Sequence, residues 1–424
     1  LTRSPLGVPA RAAAALERAA DTAISRVAYT QAEETLSRAA RLRREAGSDA
    51  ASRQAELTAL LRLLEVMQAT RYYAGTTPDV LDRARDVADS LGLEDVSRRV
   101  AWSQWAALST SCRLAEARPL AERFLRQWGE DERVQVSAAA HVMYGVDEWT
   151  RGRIAGAIDH LERALTQLAD APPPADAFEA EYTVIAQDFV LWSYAAHGDM
   201  SVDDVHAAFE ALLATVPPHV VPGVCAFAGA VSAVHGRWDD LDRFVHRALD
   251  ADHASQFAFF GGQLLMQRGL VAAARGQVDD GLNGFLDGRR RYRALGGRTK
   301  IVAYQSLVAE HLARHGRVAE AAELCAGARQ VDEFDMGWEV IPLLVAEGVL
   351  AHATGDEQAS AERFATAVQV ADDDGCHVLA RRAEGAATEL GIELVVDRPD
   401  EAGGRSAAQP DVSSGRDIAD VVHP

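Results

Sequence analysis

The sequence predicts an all-α protein, a right-handed superhelical solenoid of helix–turn–helix repeats of about 40 residues. Three observations predict it. A glycine break recurs at a near-constant step. Apolar residues recur at helical spacing after each break. The composition is rich in the helix formers Ala, Leu, Arg and Glu, and no convincing strand is present.

The breaks fall at Gly152, Gly198, Gly236, Gly276, Gly316 and Gly355, with steps of 46, 38, 40, 40 and 39 residues. Cys112 continues the series 40 residues upstream, in "CRLAEARPLAERFL". Each glycine supplies the left-handed conformation that ends the first helix of a hairpin. His197, His235 and His315 each precede a break. There a cation meets the negative end of the helix dipole, so these histidines read as helix-end residues and not as ligands.

The hairpins occupy residues 11–396. Residues 1–10 read as a linker. Residues 397–424, rich in Gly, Ser, Pro and Asp, read as a disordered tail. The stretch "APPPAD" at 171–176 is a loop between repeats, and "VPPHVVPG" at 216–223 is a second. The chain starts at Leu1 and not at Met, which points to an unusual start codon or to a longer parent.

Composition excludes several functions. A formal charge of −20 opposes contact with nucleic-acid phosphates. Lys300 is the only lysine and no Gly-Lys dipeptide occurs, so the chain has no Walker-type nucleotide loop. His311 and His315 have a chelating i, i+4 spacing, but "HLARH" lacks the glutamate of HExxH. No GxSxG elbow appears. The four cysteines are widely spaced, as in buried reduced thiols, and no apolar run is long enough to span a membrane. No catalytic, cofactor-binding or metal-binding residues are assigned, and the protein reads as non-enzymatic and cytoplasmic. The scarcity of Lys and Asn, with arginine carrying nearly all the positive charge, suggests a high-GC bacterial source.

Two sets of candidate binding residues remain. The first is what a resemblance of these hairpins to tetratricopeptide repeats implies, since in that motif one face of each first helix lines a concave groove. It comprises Trp102, Trp149, Asp188, Trp192, Gln263, Met266, Glu310 and His352. The smaller lining positions are mostly Ala, Val, Gly or Thr. The expected groove is apolar and studded with aromatic rings, suited to an apolar helix or a small organic ligand. The second set is the basic run Arg289, Arg290, Arg293 and Arg298, with Lys300 beside it, a possible dock for an acidic partner or a phosphate.

The hairpins resemble tetratricopeptide repeats. In that motif small residues sit where two helices approach closely. Gly145, Ala157, Leu161 and Ala164 fill the pattern in one hairpin, Gly269, Gly281, Phe285 and Gly288 in another, and Gly348, Ser360, Phe364 and Ala367 in a third. Over Ala12 to Val396 the chain also resembles the C-terminal helical arm of large signalling ATPases of high-GC bacteria, including "RYYAGTTPDVLDRARDVADSLGLED" at 71–95. Those proteins include LuxR-type large ATP-binding regulators, antibiotic regulatory proteins and adenylate-cyclase-associated ATPases. The resemblance implies a sensor or scaffold arm for signal transduction or transcription regulation. It binds a protein partner, such as an ATPase or effector domain in cis or in trans, or a small-molecule or peptide inducer. A stand-alone interaction adaptor is the alternative reading, and an enzyme on an α-solenoid a less favoured one.

Overall fold

The computed structural model describes residues 7–26, 28–74, 78–172, 177–251, 258–331 and 337–395. The tail at 397–424, most of the loop at 171–176, and residues 1–6 lie outside the described residues. Among the described residues the structure is helical, without strands, as expected for an all-α helical-repeat protein. Helix α1 begins at Gly7, within the span read as linker. No helix is long and apolar enough to cross a membrane among these residues.

The chain divides into two compact units. Unit 1 contains α1 (Gly7–Ser25), α2 (Tyr29–Ala46), α3 (Ala50–Arg71), α4 (Pro78–Ser90) and α5 (Glu94–Thr110). Each packs on the next in sequence. Paired arginine–glutamate forks tie them together: Arg43 to Glu17 at 2.8 and 2.7 Å, and Arg83 to Glu56 at 2.7 and 2.7 Å.

Unit 2 holds the remaining helices, save residues 258–259 and 293–294, which fall in unit 1. They are α6 (Leu114–Trp128), α7 (Val134–Thr150), α8 (Ile154–Ala169), α9 (Ala177–His197), α10 (Val202–Thr215), α11 (Val221–Val234) and α12 (Trp238–Ala251). After them come α13 (Ala258–Ala274), α14 (Val278–Ala294), α15 (Ile301–Arg314) and α16 (Val318–Ala328). A 3₁₀ turn (Gly337–Glu339) leads into α17 (Val340–Ala353), α18 (Glu357–Asp373) and α19 (His377–Glu389).

The break residues behave as the sequence requires. All six repeat glycines have positive φ, and Cys112 adopts φ 51° in the same role. After five of them the next residue donates its N–H to the carbonyl five positions back. Arg153 to Glu148, Arg237 to Ser232, Gln277 to Ala272, Arg317 to Leu312 and Asp356 to Ala351 all measure 2.8–2.9 Å. This is the Schellman closure that satisfies otherwise orphaned carbonyls. His315 Nδ1 lies 2.8 Å from the His311 carbonyl, as a helix-end residue should. His235 differs: burial drives its imidazole pKa down to about 4, so it is neutral and offers no charge to the dipole.

Small residues let paired helices touch. A Cβ on Gly145 would lie 2.8 Å from Leu161 Cγ, and one on Gly348 would lie 2.9 Å from the Phe364 ring. On α13, a Cβ on Gly269 would meet the Phe285 backbone nitrogen at 2.5 Å and the Gly281 carbonyl oxygen at 2.7 Å.

Arginines at the hairpin turns pair with aspartates at the start of the preceding second helix. Arg237 reaches Asp203 at 2.8 Å, Arg275 reaches Asp239 at 2.9 Å, and Arg317 reaches Asp279 at 2.7 Å.

Unit 2 also closes on itself. Helix α19 packs against α9, and the 3₁₀ turn against α7. The Ile154 N–H donates to the Asp374 carbonyl at 3.1 Å, and the His197 and His377 rings stand 5.0 Å apart. The early and late repeats therefore meet, and the face that an open array would leave as a groove becomes an interior. Helices α7, α11, α15 and α17 are accordingly buried around most of their circumference.

Candidate functional site

The closing contact brings three tryptophans together. Trp149 ends α7, Trp192 lies on α9, and Trp338 lies on the 3₁₀ turn. Their ring centroids are 4.9 Å (149–192), 4.6 Å (192–338) and 5.5 Å (149–338) apart. Phe189 packs edge-on to Trp149 at 4.7 Å, and Phe227 of α11 packs on Phe189 at 4.7 Å.

The only lysine of the chain enters this cluster. Lys300 precedes α15 with a left-handed backbone, φ 65°, a conformation that costs a non-glycine residue about 1 kcal/mol. Its side chain is buried, with Nζ 3.5 Å from the centre of the Phe227 ring and 5.9 Å from that of Trp149. The ring faces offer the ammonium cation–π stabilisation. Burial lowers its pKa to about 8, against the opposing fields of Asp188 and Glu339.

Two buried carboxyl groups complete the cluster. Asp188 of α9 is driven well above the ordinary carboxylate range by burial, with Lys300 opposing. Glu339 is raised to about 7 by burial, against hydrogen bonds from the backbone N–H groups of Ala303 and Lys300. Those bonds measure 2.9 and 2.7 Å, so Glu339 caps the start of α15 from another repeat.

Three polar atoms here are buried without a hydrogen-bond partner: Trp149 Nε1, Trp192 Nε1 and Asp188 Oδ1. Buried polar groups are normally paired, and each exception calls for an explanation. A cavity of ≈ 10 Å³, the size of one water, is lined by Trp149, Thr150, Thr299, Trp338, Glu339, Cys112 and Leu114; Trp192, Asp188 and Lys300 do not border it.

The structure thus brings Trp149, Asp188 and Trp192 into one cluster. The other groove candidates of unit 2 lie elsewhere in its interior. Gln263 is buried and hydrogen-bonds Tyr304. Met266 is buried where α13 meets α14, its nitrogen 2.6 Å from a Cβ built on Gly288. Glu310 is buried in an ion-pair knot, 2.6 Å from Arg382 and 3.2 Å from Arg314. His352 is half-buried with Nδ1 unpartnered. Trp102, in unit 1, is fully buried against Trp105 at 5.2 Å. Trp149, Asp188, Trp192, Gln263, Met266 and Glu310 are thus buried in the interior of unit 2.

The basic run is dispersed. Arg289 bonds Gln305 at 2.7 Å and lies over the Phe285 ring. Arg290 and Arg291 both pair with Asp287. Arg293 and Arg298 are exposed, while Lys300 turns into the interior and leaves the patch.

A serine–histidine–aspartate arrangement also appears, on α10–α12. Ser232 Oγ lies 2.9 Å from His206 Nε2, and His206 Nδ1 lies 3.5 Å from Asp240. Ser232 donates its proton to the Ala228 carbonyl at 2.8 Å and is fully buried. This geometry cross-links three helices; it does not present a nucleophile to a substrate.

Sequence reasoning placed Lys300 beside the basic run, and it did not single out Trp338, Glu339 or Phe227. The available signal was the singular lysine itself, one ammonium in an arginine-based protein. No family model and no curated protein matches the chain.

Proposed function

We propose that the chain is the non-enzymatic sensing and docking arm of a bacterial signalling or transcriptional regulator, working in the cytoplasm. In this reading the interior of unit 2 holds a small inducer. Binding there biases how the repeats present themselves to an ATPase or effector domain, in cis or in trans.

One observation carries the reading. A buried ammonium, a buried carboxyl group and two unpartnered indole N–H groups share one aromatic cluster where early and late repeats meet. Replacing such groups by apolar side chains is often neutral or stabilising, so their presence is better explained by recognition than by folding. A ligand at the closing contact is placed to alter how the two ends of unit 2 pack.

Antibody capture of the chain from its native cells, followed by an ATP-hydrolysis assay, tests the arm. Hydrolysis that travels with the chain, covalently or as a complex, is the expected result. A 45.6 kDa species without nucleotide-binding activity overturns it in favour of a stand-alone adaptor.

A further inference from the structure

We infer that unit 2 is a ring with a gate: residues 150–154 part from residues 337–338 and 374–377, and the parting opens the interior. The inference rests on the reading of this interior as the sensing site and names its point of entry.

Entry requires a movement. Trp149, Asp188, Trp192 and Lys300 are each 5% exposed or less. The cavity beside Trp149 and Trp338 has room for one water. Anything larger reaches Asp188 or Lys300 only when part of unit 2 moves.

The seam is where that movement breaks least. Consecutive helices of unit 2 are joined by a turn and pack along one another. No chain crosses the seam, and its two sides meet largely through turns. A Cβ on Gly337 would overlap the Thr150 carbonyl, and one on Gly152 would lie 2.9 Å from Asp374 Cγ. The Ile154 N–H donates across the seam to the Asp374 carbonyl at 3.1 Å, and it also lies 2.9 Å from the Gly152 carbonyl. It therefore keeps an acceptor when the sides separate. Each side is tied internally. On the late side Arg382 reaches Glu310 at 2.6 Å, and Glu339 accepts the Lys300 and Ala303 N–H groups. On the early side α7, α8 and α9 pack on one another.

Trp338 is the leaf of the gate. Its ring lies 4.6 Å from that of Trp192 and 5.5 Å from that of Trp149. Burial of these rings holds the closed state. Against it stand Trp149 Nε1, Trp192 Nε1 and Asp188 Oδ1, which lack partners while the ring is shut. Water reaches them when Trp338 lifts away, which lowers the cost of opening.

The test is hydrogen exchange in the full chain, read by NMR at increasing sub-denaturing urea and corrected for intrinsic rates. The Trp149 and Trp192 indole N–H groups are expected to exchange about tenfold or more faster than the amides of α11, with little dependence on urea, as for a local opening. Gly337→Ala, which wedges the seam, is expected to speed the two indoles by about tenfold and to leave Trp102 of unit 1 unchanged. A paired variant, Ile154→Cys with Gly375→Cys, locks it: a Cβ on Gly375 lies 3.9 Å from Ile154 Cβ, within disulfide range. Oxidation, with the link confirmed by mass spectrometry, is expected to bring the indoles to the rate of the α11 amides. Reduction is expected to restore the difference, so the substitutions themselves are not its cause.

Wild-type indoles that exchange only with global unfolding overturn the gate, and this measurement stands even where a variant fails to fold. So do indole rates unmoved by Gly337→Ala or by the closed disulfide. Any of these, with ATP hydrolysis still captured from native cells, removes the gate and leaves the arm standing. Loss of the captured hydrolysis with the opening intact does the reverse.

Discussion

The Glu339 carboxylate accepts the backbone N–H of Lys300 at 2.7 Å, although 39 residues separate the two. Its other oxygen accepts the Ala303 N–H at 2.9 Å. A helix that lacks its own capping side chain is thus capped by the turn that leads into α17. Glu339→Ala should cost about 1–3 kcal/mol, because two N–H groups lose a buried acceptor. Urea denaturation measures the loss. Hydrogen exchange should place the loosening at Lys300 and Ala303, and protection there equal to wild type would contradict the capping role.

Lys300 gives stability a pH dependence. Its folded pKa of about 8 lies below the ordinary 10.5, with burial the principal cause. Between those values the unfolded chain binds more protons than the folded one, so stability rises with pH across that window. Lys300→Met should abolish this component. The check is the difference in urea midpoint between pH 7.5 and pH 10 in each protein; equal differences would refute the assignment. The opposite sign holds for Glu339. Its raised folded pKa makes stability fall as pH rises from 4.5 to about 7.

Glu310 anchors the terminal helix. It is buried, and although burial works to raise its pKa, Arg382 and Arg314 hold it below the ordinary value. Glu310→Gln leaves Arg382 without its anion and should cost about 3 kcal/mol, as for other broken buried pairs. Faster proteolysis within α19 than elsewhere would locate the effect. An unchanged urea midpoint would show that the pair contributes nothing.

The glycines of α13 are not equivalent. A Cβ on Gly269 meets backbone atoms of α14 at 2.5 and 2.7 Å, whereas one on Gly261 meets nothing within 4 Å. Gly269→Ala should destabilise by about 1–3 kcal/mol through overpacking. Gly261→Ala should stabilise by up to about 1 kcal/mol through helix propensity. Melting temperatures that move in the same direction for both would sink the close-packing argument.

Much of the architecture was legible because its causes are local. Gly152, Gly236 and Gly316 announce left-handed turns by residue type, and Gly145 and Gly348 announce close helix contacts. Trp149, Asp188 and Trp192 were grouped by their phase in the repeat as lining a concave groove, and that phase does not say that they are buried. Closure of unit 2 depends on contacts such as Trp192 with Trp338 and Ile154 with Asp374, far apart in sequence and outside any single repeat. One clue was present: "VPGVCAFAGAVSAV" on α11 has no charged residue on any face, and a helix apolar all round is buried. An open groove would have left such a helix half wet. Lys300 was grouped with neighbouring arginines because charge runs usually face solvent, and only the turned backbone at Lys300 reverses that.

The Arg237–Asp203, Arg275–Asp239 and Arg317–Asp279 rungs bear on how the gene can change length. Excising residues 239–278 would join Trp238 directly to Asp279. Asp279 would then stand in the place of Asp239, the Asp203–Arg237 rung below would be untouched, and Arg317 would keep its own aspartate. A whole-repeat deletion or duplication therefore leaves complementary charges at the splice, whereas half a repeat sets unlike elements side by side. For this segment, the arginine–aspartate pattern sets the length that can be lost with the remaining pairs intact.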